Sequence, residues 1–177
     1  QLWSLANASN AVEMVEVSNA RLERCVLLGN GGRGLSSQGA SGVELIHSVI
    51  WSNASDAVYH SGGSLAVTNT ILHASGAGRY IYVGLSNAQI RADYNDVLAA
   101  NGSYVAVDGG VVSKTLSRWQ ERTRNDVRSL SHDPRFSSPP SDLHLRSSAG
   151  RYNPATGTFV TTDVDFSYLI DAGPPTW

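Results

Sequence analysis

A nine-residue pattern recurs four times within residues 22–101, and it constrains the fold more than any other feature of the chain. The copies are LERCVLLGN from Leu22, LIHSVIWSN from Leu45, VTNTILHAS from Val67 and, more loosely, DYNDVLAAN from Asp93. The fourth position is held by Cys25, Ser48, Thr70 and Asp96. The sixth position is apolar in every copy: Leu27, Ile50, Leu72 and Leu98. Self-similarity at about 23 residues predicts a solenoid, in which each repeat forms one coil of chain.

Two further columns keep nearly the same period. The ninth position is small and polar, and with one earlier residue it comprises Asn7, Asn30, Asn53, Ser75 and Asn101. A second apolar column follows each ninth position: Val12, Leu35, Val58, Ile81 and Val105, the last two displaced by one place. Asn tolerates left-handed turn conformations, and stacked Asn side chains can hydrogen-bond from coil to coil. The polar column is therefore predicted to be a structural ladder at a turn.

The coils are predicted to consist of short β-strands. Apolar residues fall two apart, as in Val43 and Leu45, and Gly, Asn and Ser interrupt these stretches every few residues. Period-two alternation indicates strands, and the interruptions indicate turns. No stretch of 12 residues within 1–110 has the pattern of an amphipathic helix. The region is therefore predicted to stack parallel strands about 4.8 Å apart.

The repeat resembles that of the right-handed parallel β-helix proteins of the pectate-lyase-like type, over roughly residues 1–110. The resemblance implies three strands per coil, with Cys25 facing the core. We expect an all-β fold: a right-handed parallel β-helix of about four to five coils, with a short helix and a loop-rich C-terminal cap. By the same resemblance, such folds bind or cleave acidic polysaccharides.

The C-terminal part, residues 111–177, is predicted to cap the coils within one structural domain. The segment LSRWQERT indicates a short helix over about 115–123 with Ser117 as its cap. The strings DLHLRSSAGRY and LIDAG resemble the C-terminal end of large bacterial secreted β-helix proteins, which implies a fragment of a longer chain that is secreted or at the cell surface. Trp119, Phe136 and Leu143 are expected to close the last coil.

Composition excludes several classes of partner. Lys and Arg number 13 against 15 for Asp and Glu, so the chain lacks the basic footprint of a nucleic-acid-binding protein. No run of 18 apolar residues occurs, so no membrane span is expected. The single cysteine rules out an internal disulfide framework.

Aromatic side chains of the repeat region are the candidate ligand contacts. Tyr80 and Tyr82 flank Ile81, which is predicted to point inward, so both rings are expected on the outer face. Sugar rings stack on such aromatics because one face of a pyranose is apolar. The predicted carbohydrate-binding set is Trp51, Tyr59, His73, Tyr80 and Tyr82. The alternative interpretation is that these rings pack on one another.

Catalytic chemistry is only weakly indicated. Asp93 and Asp96 lie three residues apart and form a candidate calcium site, although calcium takes six to eight oxygen ligands. The alternative is that Asp96 hydrogen-bonds turn amides. No acid–base pair is apparent, so no catalytic residue and no required cofactor is assigned. Three functions stay open: a polysaccharide-binding or display domain, which we favour, a fragment of a polysaccharide lyase or glycoside hydrolase, and a structural module that self-associates end to end through its N-terminal coil.

Overall fold

A computed structural model describes residues 2–170 and Ala172 and shows a parallel β-solenoid of about five coils. Coil 1 comprises β1 (Trp3–Leu5), β2 (Val12–Val15) and β3 (Arg21–Glu23). Coil 2 comprises β4 (Val26–Leu28), β5 (Leu35–Gln38) and β6 (Val43–Ile46). Coil 3 comprises β7 (Val49–Trp51), β8 (Val58–Ser61) and β9 (Gly63–Thr68). Coil 4 comprises β10 (Ile71–Ser75), β11 (Tyr80–Gly84) and β12 (Ala88–Asp93). Coil 5 comprises β13 (Asp96–Ala100) and β14 (Tyr104–Asp108), followed by the short strand β15 (Val111–Ser113).

The strands stack into three sheets. Sheet 1 is β1-β4-β7-β10-β13, sheet 2 is β2-β5-β8-β11-β14-β15, and sheet 3 is β3-β6-β9-β12. All pairings between coils are parallel, whereas β15 turns back antiparallel to β14. The predicted apolar column is confirmed for three coils, since Leu27, Ile50 and Leu72 lie on one another in register and are fully buried. The repeat therefore produces the core directly: each inward side chain buries its neighbours one coil away.

The predicted alignment is wrong by one residue in coil 5. Leu72 pairs with Val97 rather than Leu98, and Thr70 is matched by Asn95 rather than Asp96. Asp96 instead lies on sheet 1, paired with Ile71. The spacing explains the error, because the step from Thr70 to Asn95 is 25 residues, whereas the two preceding steps are 23 and 22.

A ladder of hydrogen bonds runs along the turn from sheet 3 to sheet 1. Backbone N–H groups donate to a polar side chain of the next coil, in the order Cys25 N to Ser48 Oγ, Ser48 N to Thr70 Oγ1 and Thr70 N to Asn95 Oδ1. Asn95 N donates to Ser129 Oγ, which lies in the segment that follows α1. The preceding residue is left-handed in every coil: Arg24, His47, Asn69 and Tyr94. The backbone N–H groups of this turn are therefore buried but hydrogen-bonded, because the small polar residues of the column act as acceptors.

The Asn column lies at the turn from sheet 1 to sheet 2. The backbone N–H of Asn7 donates to Asn30 Oδ1 at 3.0 Å, and that of Asn30 donates to Asn53 Oδ1 at 2.9 Å. Asn53 in turn donates to the carbonyl of Leu27 at 2.9 Å. Asn101 donates to Ser75 Oγ in an exposed pair further along. The buried part of this ladder thus joins the first three coils.

The last coil is covered by a segment outside the repeat. Helix α1 (Leu116–Thr123) agrees with the predicted position, but Thr115, not Ser117, accepts from the N–H of Arg118 and caps it. None of the helices described has the length and apolarity needed to cross a membrane. After α1, the Asn125 side chain accepts a hydrogen bond from Ala92 N and donates one to the Ile90 carbonyl on β12. The backbone of Leu130 accepts from Val97 N and donates to the Asn95 carbonyl beside β13. With β15 beside β14, this segment hydrogen-bonds to the outermost strand of all three sheets.

A buried polar cluster anchors this segment. The carboxylate of Asp126 accepts from the Trp119 indole N–H at 3.0 Å, the Asn95 amide at 2.9 Å and the Ser129 hydroxyl at 2.6 Å. Burial raises the pKa of Asp126 above its ordinary value, and the three donors oppose that rise. Trp119 stacks on Tyr82, with ring centroids 5.7 Å apart. Burial, together with the Asp126 charge, raises the pKa of Tyr82 well above its ordinary value.

Contacts divide the chain into two units after Ser131, and α1 lies in the same unit as the coils. The division into coils over 1–110 and a capping segment over 111–177 within one structural domain stays a prediction. The second unit, from His132 onward, contains two antiparallel hairpins. One pairs β16 (Phe136–Ser138) with β17 (Asp142–Leu145), and the other pairs β18 (Arg151–Asn153) with β19 (Thr158–Val160). Arg151 joins Asp142 and Asp163 through ion pairs of 3.2 and 2.9 Å. The closure of the last coil by Phe136 and Leu143 stays a prediction.

Candidate functional site

Five residues form a connected cluster where the chain enters sheet 2, which we call the tyrosine face: Arg33, Asp56, Tyr59, Tyr80 and Tyr104. The guanidinium of Arg33 lies 3.9 Å from the centroid of the Tyr59 ring and 3.4 Å from Asp56 Oδ2. Asp56 Oδ1 accepts from the backbone N–H of Tyr80 at 3.0 Å. The rings of Tyr80 and Tyr104 lie 5.6 Å apart. All five side chains are partly exposed.

The repeat positions four of these residues. Leu35 and Val58 pair in sheet 2, which brings Arg33 beside Asp56, and the pairing of β11 with β14 brings Tyr80 beside Tyr104. Tyr59 lies on β8, between the buried residues Val58 and His60, so its ring points outward. The strand pairing thus holds the cluster across four successive coils, with little freedom for its parts to separate.

The tyrosine face combines apolar ring surface with polar groups. Arg33 and Asp56 carry opposite charges, and the ammonium of Lys114 lies 5.5 Å from the Tyr104 centroid. Aromatic rings offer stacking surface to the apolar side of a sugar, and a guanidinium and a carboxylate offer hydrogen bonds to hydroxyl groups. The arrangement is chemically suited to binding a hydroxylated ligand with apolar faces.

Trp51 and His73 lie elsewhere, on the outer side of sheet 1. Their rings stack at 4.1 Å between centroids with an interplanar angle of 19°. The backbone N–H of Ser52 donates to His73 Nδ1 at 3.3 Å, and His73 is only 8% exposed. The alternative raised from the sequence, aromatics packing on one another, describes the contact between these two residues.

The expectation that Tyr82 is on the outer face with Tyr80 is wrong. Tyr82 is fully buried, pairs with Val58 in register, and stacks on Trp119 inside the solenoid. The cause is a longer turn before β11. The inward residues of sheets 1 and 2 are eight positions apart in coil 3, Ile50 and Val58, but ten apart in coil 4, Leu72 and Tyr82. The extra residues move Tyr82 into the core position.

The fold does not bring Asp93 and Asp96 together with further side chains that could coordinate calcium, among the residues described. Asp93 ends β12 on sheet 3, where the Arg128 guanidinium binds its Oδ2 and the Arg128 backbone N–H donates to Oδ1 at 2.8 Å. Asp96 begins β13 on sheet 1 and is 3% exposed. Among the described residues there is no group of three or more acidic, histidine or cysteine side chains that could hold a metal ion. The calcium hypothesis therefore gains no support from the geometry.

Sequence reasoning did not include Arg33, Asp56 and Tyr104 in the candidate site. The signal that could have found them is their spacing: Arg33 to Asp56 is 23 residues, and Asp56 to Tyr80 is 24. A polar or aromatic column at the coil period predicts side chains in contact, just as an apolar column does. The separate position of Trp51 and His73 follows from the same columns, since they precede the Asn turn.

Comparison with known proteins found no matching family model, no matching curated protein and no matching solved structure. The parallel β-solenoid is thus established by the strand pairing of this chain itself. The likeness to pectate-lyase-like proteins and the bacterial origin stay expectations from the sequence.

Proposed function

We propose that this chain is a carbohydrate-binding parallel β-helix domain of a secreted or cell-surface protein, and that the tyrosine face holds the polysaccharide. The observation that carries the proposal is the connected set of three partly exposed tyrosine rings with an Arg33–Asp56 ion pair among them. This site replaces the set predicted from the sequence, because Tyr82 is buried and Trp51 and His73 lie on another sheet.

The positions of the rings suit an extended ligand. Adjacent strands of a sheet lie about 4.8 Å apart, and Tyr80 and Tyr104 pair in register on coils 4 and 5. The Arg33–Asp56 ion pair continues this column on coils 2 and 3, with the Tyr59 ring beside Arg33. A polysaccharide lying along the solenoid axis meets a ring or a charged group on each of four coils. Several weak stacking and hydrogen-bonding contacts in a row bind a repeating chain better than an isolated monosaccharide.

Binding rather than cleavage is favoured by how the carboxylate of this face is used. Asp56 is held by the Arg33 guanidinium and by the backbone N–H of Tyr80. A general acid in a glycoside hydrolase needs a raised pKa and a second carboxylate opposite it. Asp56 is instead the one carboxylate among the five residues of the tyrosine face, and both of its oxygens already have partners, Arg33 and the Tyr80 backbone N–H.

A glycan array with the 177-residue chain tests the proposal. Replacing Tyr59 or Tyr104 by Ala should weaken binding of the selected polysaccharide about threefold to tenfold for each ring, because an aromatic contact of this kind contributes on the order of 1 kcal/mol. The matched control is Tyr152→Ala, which removes an exposed tyrosine of the second unit and should leave binding unchanged. Absence of binding to any glycan, or equal losses for Tyr59→Ala and Tyr152→Ala, would contradict the proposal.

A further inference from the structure

A trench with a volume of about 400 Å³ lies on the outer side of sheet 3. Its floor is β9, where Ser64 and Ala66 are the outward residues lining the cavity. One wall is β6 with Glu44, and the other is β12 with Gln89 and Arg91. Ala66 pairs with Glu44 on one side and with Arg91 on the other, so the trench exists because the shortest side chain of this column lies between two long ones.

The two walls carry opposite charge. On the β6 side, Arg21 is shared between two carboxylates, since its guanidinium lies 3.1 Å from Glu23 and 3.2 Å from Glu44. Glu44 therefore shares the Arg21 guanidinium with Glu23, and its charge is only partly neutralised by that contact. The contact with Arg21 uses Glu44 Oε2, and within the described part of the chain Oε1 has no hydrogen-bond partner, so it can accept a hydrogen bond from a ligand.

The β12 side is positive. In the part of the chain that the structure describes, the exposed guanidinium of Arg91 forms no ion pair or hydrogen bond, and the Gln89 side-chain amide likewise has no hydrogen-bond partner. Most other arginines of the coils are engaged, among them Arg21 with Glu44, Arg33 with Asp56, and Arg79 with the carbonyl of Ser75. Arg91 is thus a cation beside a cavity with no anion of its own.

The dimensions limit the ligand. Strands β6 and β12 flank β9, so their backbones are about 9.6 Å apart, which is two strand spacings. An extended dipeptide spans about 7 Å, and this length places its two ends near the side chains that lean in from both walls. No aromatic ring lines the trench among the described residues, so the stacking contact that a neutral sugar prefers is missing here.

We propose that this trench binds a short zwitterion of about dipeptide length, with its ammonium group at Glu44 and its carboxylate at Arg91. The peptide group between them lies over Ala66, where the Ser64 hydroxyl and the Gln89 amide can hydrogen-bond it. This site is on a different sheet from the tyrosine face and does not depend on carbohydrate binding.

Three probes separate the two charges of such a ligand: glycylglycine, N-acetylglycylglycine without the ammonium group, and glycylglycinamide without the carboxylate. Binding to the 177-residue chain is measured by titration followed by NMR. Glycylglycine should bind best, and each capped probe should bind roughly threefold to tenfold more weakly, as expected for the loss of one charge-assisted contact near a surface.

Two charge-removing variants assign the contacts. Arg91→Gln should weaken glycylglycine and the acetylated probe but not glycylglycinamide, whereas Glu44→Gln should weaken glycylglycine and glycylglycinamide but not the acetylated probe. Arg118→Gln, which breaks an exposed ion pair with Glu121 on α1, is the matched control and should change none of the three affinities.

A substitution that fills the trench with a large side chain tests whether the ligand binds there. Ala66→Phe should abolish binding, whereas Thr68→Phe, on the same strand but not among the residues that line the trench, should preserve it. Circular dichroism of each variant verifies folding. The proposal is overturned if glycylglycine does not bind at about 20 mM, where a ligand of this size and ordinary efficiency should be detected. It is equally overturned if the capped probes bind as well as glycylglycine, or if Ala66→Phe binds normally.

Discussion

The two ends of the solenoid are built from the same repeat but are covered very differently. In coil 1, Val12 and Leu22 are partly exposed, although their counterparts in coil 2, Leu35 and Leu45, are fully buried. Trp3 on β1 is 54% exposed. Strands β1, β2 and β3 each lie at the edge of their sheet and pair with coil 2 alone among the described residues.

Coil 5 is as well buried as the middle of the solenoid. Val97 and Ala106 are fully buried and Val105 is 2% exposed. The cover consists of β15, α1 with Trp119, and the segment from Asn125 to Leu130 that hydrogen-bonds to β12 and β13. A coil of a repeat buries only the side of its neighbour that it touches, so an end needs residues outside the repeat to bury its remaining surface. The non-repeating segment should therefore contribute more stability per residue than coil 1.

The largest expected difference in stability is between variants of the two tryptophans, one at each end of the solenoid. Trp119→Ala should destabilise the chain by about 3–5 kcal/mol, because it leaves a cavity beside Tyr82 and removes a donor from the buried Asp126 carboxylate. Trp3→Ala should cost less than about 1 kcal/mol, since more than half of that side chain is already in solvent. Urea unfolding followed by circular dichroism measures both.

Arg118→Ala is the control for the first substitution, because it changes an exposed residue one position earlier in α1. It should cost at most a few tenths of a kcal/mol. Equal losses for Trp3→Ala and Trp119→Ala would show that the two ends contribute alike, and the comparison would then be wrong.

A smaller difference is expected within the Asn column. Asn53→Ala should cost about 1–3 kcal/mol, because the Asn30 backbone N–H and the Leu27 carbonyl, both buried, lose their partner. Asn7→Ala, one end of the same column, should cost less than about 1 kcal/mol, since Asn7 is exposed and water replaces its contacts. Thermal unfolding of the two variants side by side gives the difference, and a larger loss for Asn7→Ala would contradict this assignment of the ladder.

Much of the fold could be predicted from the apolar and polar columns that recur at a constant period of about 23 residues. Leu27, Ile50 and Leu72 stack as expected because the turns between them have equal or nearly equal length. The register of coils 4 and 5 could not be predicted, because their turns from sheet 1 to sheet 2 are longer. The columns before and after such a turn then have different spacings, and no single period aligns both. Tyr82 and Val97 are the residues that this length change moves into the core.

The candidate sites were less predictable than the core. Tyr59 and Tyr80 could be selected as aromatics of the repeat, but their partners Arg33 and Asp56 become visible only when charged residues are also aligned in columns. The trench at Ala66 depends on a small residue between two long ones, and it requires the pairing of β6, β9 and β12 to be known. An alignment shifted by one residue would have pointed these side chains to the opposite face.

A third column, of mixed polarity, runs along the inner side of sheet 2 from coil 1 to coil 5. Met14, Ser37, His60, Gly84 and Asp108 occupy one inward register position of sheet 2. His60 is fully buried, with its Nδ1 3.2 Å from Ser37 Oγ and its Nε2 without a hydrogen-bond partner among the described residues. At the covered end, Asp108 pairs with Arg122 of α1 at 3.1 Å. The column thus changes from the Met14 thioether at the exposed end to the Asp108–Arg122 ion pair at the covered end.

The smallest expected effect is the pH dependence that His60 confers. Burial lowers the pKa of His60 below its ordinary value of 6.5, so below that pH the unfolded chain binds the proton more readily than the folded protein does. The stability associated with His60 is therefore complete above about pH 6.5 and is lost as the pH falls toward the folded-state pKa. Thermal unfolding from pH 7.5 to 5 should show this decrease, and His60→Asn should reduce the slope.

The contribution of His60 is recognised from the slope of stability against pH, not from the stability at one pH. Acidification acts in the opposite direction on Asp126, whose pKa is raised by burial, and this contribution is present in the parent chain and in His60→Asn alike. Ser37→Ala is the matched control, because it removes the hydroxyl beside Nδ1 but keeps the buried imidazole, so it should lower stability while preserving the acid sensitivity. If His60→Asn keeps the same slope as the parent chain, the interior histidine has no part in the pH response.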